Sequence, residues 1–188
     1  MTKTPISLLE RLRKPFEPEA WDRFVALYTP LIYTWGRRAG LREEDAADLA
    51  QDVFLKLMEV LPTFKYDAHQ GFRRWLRTVT LNTWRDHCKR LGNRRLAGNE
   101  AALAEAAVPD GLEAFWEDEY SQHLVSRALA LMRADFRPAT WKAFWEQVVV
   151  GRPARAVASE LGLSPGAAYA AKFRVLDRLR GELAEMLE

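Results

Sequence analysis

The sequence predicts an all-α protein: two small helical domains joined by a flexible acidic linker, the C-terminal one a helix-turn-helix. Three observations predict it. Apolar residues recur at helical spacing in nearly every segment, no stretch alternates long enough to make a strand, and no Asn-Gly or Asp-Gly hairpin signal occurs. Charge is segregated along the chain. From Phe72 to Arg95 eight Lys or Arg stand against the single acid Asp86, whereas Leu96 to Gln122 holds seven acids and no Lys or Arg. Finally, 188 residues with 48% apolar and 29% charged side chains have the composition of folded protein and room for one medium domain or two small ones.

The elements follow in order. "PEAWDRFVALYTPLIYTWGRRAG" places Trp21, Phe24, Leu27, Tyr28, Leu31, Ile32 and Trp35 on one helical face, with Gly40 as its stop. Pro30 is expected to kink or divide this helix. "EEDAADLAQDVFLKLMEVLP" is the next helix. Ala50, Val53, Phe54, Leu57 and Leu61 form its apolar stripe, and Asp45, Asp48, Asp52, Lys56 and Glu59 the polar one. "TFKYDAHQG" is a loop, and "FRRWLRTVTLNTWRDHCKR" the helix after it. There Phe72, Trp75, Leu76 and Val79 share a face, so Trp75 reads as core. Asn82 lies two turns beyond Trp75 and faces the same way. Leu81, Trp84 and Cys88 lie on another side.

"AGNEAALAEAAVPDG" is alanine-rich, acidic and carries Pro109 and Gly111, the composition of a mobile linker. Residues 1–95 form the first expected domain, 96–111 the linker and 112–188 the second. Helical patterning resumes at Leu112 with "LEAFWEDEYSQHLVSRALALM" and "PATWKAFWEQVV".

"PARAVASELGLSPGAAYAAKFRVLDRLR" has the spacing of a helix-turn-helix. Ala158 is small where two helices must cross closely. Gly162 can take the left-handed conformation that ends the first helix, and Val157, Leu161 and Leu163 fill the space between the two. Ser164 is the N-cap of the second helix and Pro165 its first residue. A helix entering the major groove reads bases with its first turns, which puts Pro165, Gly166, Tyr169, Ala170 and Phe173 at bases and Lys172, Arg174 and Arg178 at phosphates, with the Ser164 cap in the same DNA-binding set. Ala168 and Ala171 are small for core positions, which predicts a thin core beneath this helix.

Taken together, "FVALYTPLIYTWGRR", "DAADLAQDVFLKL", "FRRWLRTVTLNTWRDHCKR" and, after the linker, "ASELGLSPGAAYAAKFRVLDRLR" resemble an extracytoplasmic-function (ECF) sigma factor. The resemblance runs from about Leu8 to Leu183 with the motifs in order. It implies a promoter-specificity subunit of bacterial RNA polymerase with no active site of its own and no cofactor or metal. The implied partners are the clamp and flap of the polymerase core and promoter DNA, and control by an anti-sigma factor stays open. Asp48, Gln51, Asp52 and Lys56 match the helix that docks on the polymerase clamp. Lys65, Tyr66 and His69 in the loop, with Arg73, Arg74, Arg77 and Asn82 on the helix, match the part that captures an unstacked base of the −10 element. Single strands are held by stacking and edge hydrogen bonds while cations track the backbone, which accounts for interleaved tryptophan and arginine. The C-terminal helix-turn-helix matches the reader of the −35 element. Where the family is usually small or charged, this chain has Leu81, Trp84 and Cys88.

Other functions fit less well. A stand-alone helix-turn-helix regulator with an N-terminal sensing domain is the alternative, but no convergent polar pocket is legible in residues 8–95 and the basic helix would go unexplained. A nuclease holding Mg²⁺ on Asp45, Asp48 and Asp52 has the helical spacing for it, yet His69, His87 and His123 show no ligand spacing. Net charge is only +2, low for a protein that binds DNA unaided. The single Cys88 permits no internal disulfide and no apolar run is long enough to span a membrane, so a cytoplasmic protein is expected.

Overall fold

The computed structural model describes residues 8–14, 17–63, 71–96, 115–183 and 186. The described residues are helical, with no strand among them. They divide into two compact units, Leu8–Leu124 together with Glu185–Glu188, and Val125–Ala184.

The first unit is built from α1 (Leu8–Leu12), α2 (Pro18–Arg38), α3 (Glu43–Val60), a 3₁₀ turn (Leu61–Thr63), α4 (Gly71–Leu96), a π-helical turn (Phe115–Glu119) and the start of α5 (Tyr120–Met132). Its apolar faces meet as the periodicity predicts: Phe24, Leu27, Tyr28, Leu31, Ile32 and Trp35 of α2 are buried with Leu49, Val53 and Leu57 of α3 and Phe72 and Leu76 of α4. The close approach of α2 and α3 depends on Gly36, where an added Cβ would lie 3.3 Å from both Ala46 Cβ and Leu49 Cδ2.

Pro30 neither divides α2 nor ends it; the helix runs unbroken to Arg38. Gly40 does stop it, with φ +87°, and completes a Schellman cap: Leu41 N–H donates to Gly36 O and Gly40 N–H to Arg37 O, both at 3.1 Å. That tight end lets α3 start two residues later and turn back along α2.

An aromatic chain runs through the unit. Phe24 meets Tyr28 and Phe72, and Tyr28 meets Phe72 and Tyr120, with centroids 4.6 to 6.3 Å apart. Tyr28 and Tyr120 hydroxyls lie 2.9 Å apart, and Tyr120 donates to Met186 O at 2.9 Å. Tyr120 has one hydrogen to give, so Tyr28 donates to Tyr120. Burial pushes both phenols well above their ordinary range. The unusual Trp84 also has a place here: it stands edge-on to Trp35 at 5.9 Å, and both are buried with Cys88 a turn further on. Burial raises the Cys88 thiol above its ordinary value.

The second unit contains the rest of α5, a 3₁₀ turn (Arg133–Asp135), α6 (Pro138–Val148), α7 (Ala154–Glu160) and α8 (Pro165–Leu183). The expected helix, turn and helix are present at their expected ends. Gly162 takes φ +65°, Leu163 N–H reaches back to Ala158 O at 2.8 Å, and Ala167 N–H donates to Ser164 Oγ at 3.1 Å. Ala168 and Ala171 are buried on the inward face of α8; Ala143, Val157 and Ala171 form one cluster with Leu161 and Leu163 packed on it, and Phe144, Val175 and Leu183 are buried in the same unit. Polar bonds supplement this packing. Gln147 Nε2 donates to both Ala143 O and Ala168 O, at 2.7 and 2.9 Å, tying α6 to α8. Arg152 joins Glu146 of α6 at 3.0 Å and Glu160 of α7 at 2.7 Å, and holds the Glu160 carboxyl below its ordinary range.

Candidate nucleic-acid and partner interfaces

The polar stripe of α3 is less uniform than its sequence suggests. Asp45 is turned inward, buried, and accepts from Arg42 Nε at 2.9 Å. It therefore does not share an open face with Asp48 and Asp52, which removes the geometry a three-carboxylate metal site would need. Asp48 and Gln51 are exposed. Asp52 is not a free charge: its Oδ2 accepts from His87 Nδ1 at 3.0 Å and also pairs with Arg90 Nη2, both on α4. A carboxylate only accepts, so His87 Nδ1 carries the hydrogen of that bond. Asp52 thus clasps α3 to α4, while Lys56 pairs with Glu59 at 2.9 Å, which raises the ammonium above its ordinary value.

Beside this stripe the structure exposes two residues the sequence reading passed over. Leu55 is 62% and Met58 55% exposed. They stand three residues apart on α3, off the buried stripe, which was the signal available in the sequence. Polar Asp48 and Gln51 beside bare Leu55 and Met58 make a mixed surface of the composition that protein partners bury.

On α4 the spacing of Arg74, Thr78, Asn82, Arg85 and Lys89 puts five exposed side chains along one face. Three are cationic, and Asn82 Oδ1 accepts weakly from Arg85 Nη1 at 3.4 Å. Arg77 is half-buried at the margin of that face. Arg73 points elsewhere: its guanidinium lies over the Tyr120 ring, 5.5 Å from the centroid. Trp75 differs from the core position expected for it. It is half-buried and, with Val79 and Asn82, walls a groove of about 440 Å³ between α3 and α4, opposite Leu55, Lys56 and Val60. Trp75 and Asn82 do face the same way. Lys65, Tyr66 and His69 lie outside the described residues, as does the linker at 97–111.

In the second unit Ser164, Pro165, Gly166, Ala170 and Arg174 are exposed along the outer side of α8 and Lys172 is half-buried. Tyr169 and Phe173, one turn apart, are 51% and 61% exposed. Two large aromatics left bare on the first turns of a helix cost apolar exposure that a partner would recover. A separate groove of about 700 Å³ opens between α5 and α6, lined by Leu129, Phe136, Trp141 and Trp145, with Arg133 and Lys142 at its edge.

Among the described residues no helix is long and apolar enough to cross a membrane. No curated protein matches the sequence. The family model of sigma-70 region 2 matches residues 24–95, from the middle of α2 to the end of α4, so this segment is similar to sigma-70 region 2.

Proposed function

We propose that the chain is a sigma factor of the ECF type, which gives RNA polymerase its promoter recognition and itself catalyses nothing. The observation that carries this reading is the pair of faces inside the matched segment: a mixed polar and apolar face on α3 and a basic, asparagine-bearing face on α4. One suits a protein partner and the other nucleic acid, which is what a subunit placed between polymerase and promoter needs.

In this reading Asp48 and Gln51, with Leu55 and Met58, meet the polymerase clamp. Asp52 holds the docking helix in register on α4, and Lys56 lies at the rim. Arg74 and Arg77 track the backbone of the melted −10 strand, Asn82 reads a base edge, and Lys65, Tyr66 and His69 wall the pocket. The C-terminal unit is a helix-turn-helix for the −35 element, with Tyr169 and Phe173 at base edges or thymine methyls and Lys172 and Arg174 at phosphates. The aromatic groove of α5 and α6 is the seat for the polymerase flap. The protein works in the cytoplasm without cofactor.

A footprint separates this from a stand-alone regulator. Protein alone should leave promoter DNA unprotected, and protein with core polymerase should protect both the −10 and −35 elements. Protection of a specific site by the protein alone would contradict the proposal.

A further inference from the structure

The segment Phe115–Tyr120, "FWEDEY", covers two arginines of the first unit. Glu119 Oε1 and Oε2 accept from Arg38 Nη1 and Nη2 at 2.6 and 2.8 Å. The same guanidinium lies 4.9 Å from the centroid of Phe115, and that of Arg73 lies 5.5 Å from the centroid of Tyr120. One cation therefore meets a carboxylate and an aromatic face, and the other an aromatic face. A single-stranded nucleic acid offers cations the same two groups, a phosphate and a stackable base.

We propose that Phe115–Tyr120 is an intramolecular stand-in for single-stranded DNA on Arg38 and Arg73, displaced when DNA takes its place. This rests on the reading of the first unit as a nucleic-acid binder. The seat is firm but not optimal. Phe115, Trp116 and Tyr120 are buried, and Tyr120 is hydrogen-bonded, so the segment stays put without a competitor. Against that, Phe115–Glu119 is a π-helical turn, a rare geometry less favourable than the α-helix and frequent at functional sites. Trp116 Nε1 is buried without a hydrogen-bond partner, a desolvation cost that release would remove. Both features narrow the gap between the seated and released states. The modest net charge of +2 also leaves little to favour unaided DNA binding while the segment is seated.

The test uses the full chain with a fluorescein-labelled single-stranded 20-mer at low salt, and hydrogen exchange of residues 115–124. Glu119→Lys breaks the pairing with Arg38 at a half-exposed position, and Glu119→Gln does so more gently. Glu19→Lys makes the same charge change on the exposed first turn of α2. The proposal expects Glu119→Lys to tighten DNA binding on the order of fivefold, clearly more than Glu19→Lys, with Glu119→Gln between. It also expects saturating DNA to speed exchange at 115–124 in the unaltered protein. Equal gains from Glu119→Lys and Glu19→Lys, or unchanged exchange with DNA bound, would overturn it. Transcription with core polymerase keeps the two ideas apart. Factor-dependent transcripts with unchanged exchange would reject the stand-in alone, while displacement by DNA without factor-dependent transcripts would support the stand-in and reject the sigma reading.

Discussion

Asp48 and Asp52 lie one turn apart on α3, and the structure gives them different work that mutation should separate. Asp48→Lys changes an exposed carboxylate, a kind of substitution that moves stability by about 0.5 kcal/mol at most. Asp52→Ala removes the acceptor of His87 Nδ1, whose side chain is only 8% exposed. Leaving a buried donor unsatisfied costs about 1–3 kcal/mol. Arg90 is more than half exposed, so the loss of its pairing with Asp52 adds little. In a unit of this size each kcal/mol lowers the melting temperature by about 4–8 °C, so Asp52→Ala should melt about 5–20 °C lower. Thermal melts by circular dichroism, with binding to labelled core polymerase measured well below either melting temperature, read both effects. Asp48→Lys should weaken core binding at unchanged melting temperature, and Asp52→Ala should lower both. Unchanged stability in Asp52→Ala would refute the clasp, and unchanged core affinity in Asp48→Lys would refute the docking surface.

Three further outcomes are expected. Tyr169→Ala should reorder preference among −35 variants while Arg174→Ala weakens all of them alike, measured by competition between promoter templates. Exchanging residues 63–71 for those of a related protein should change which −10 sequences open, and Asn82→Ala should do so more weakly, by about 1 kcal/mol of discrimination; Arg74→Ala with Arg77→Ala should slow opening everywhere, as permanganate reactivity of unpaired thymines will show. Tyr28 and Tyr120 are held protonated by burial, so their contribution to stability is full below the ordinary phenol value of 10.0 and is lost as pH rises beyond it. Absorbance at 295 nm should show two of the five tyrosines ionising only on alkaline unfolding, and one in Tyr28→Phe.

Much of this was legible in the sequence because local rules decide it. The helix ends at Gly40 and Gly162, the Ser164 cap and the apolar faces of α2 and α3 follow from periodicity and from the few residues that tolerate those backbone positions. The inward face of α8 was legible too, from Ala168 and Ala171, though not Gln147, whose two carbonyl partners lie on different elements. What failed needed three dimensions. Pro30 does not divide α2, because packing on both sides of it outweighs one missing hydrogen bond. Asp45 and Asp52 look like solvated charges on a helical wheel, yet one is turned inward to Arg42 and the other is taken by His87, 35 residues away. Trp75 sits at the boundary between core and groove, which a wheel cannot resolve. Arg38, Arg73, Phe115 and Tyr120 meet across most of the first unit's length, and no spacing rule links them.

Transcription from a randomised promoter library with core polymerase from the same source, with and without the protein, tests the sigma-factor assignment most directly. The prediction is transcripts that require the protein, start at defined positions, and share a −10 and a −35 sequence at fixed separation. Transcripts of equal number and position in its absence, or protein-dependent starts with no shared −10 sequence, would contradict it.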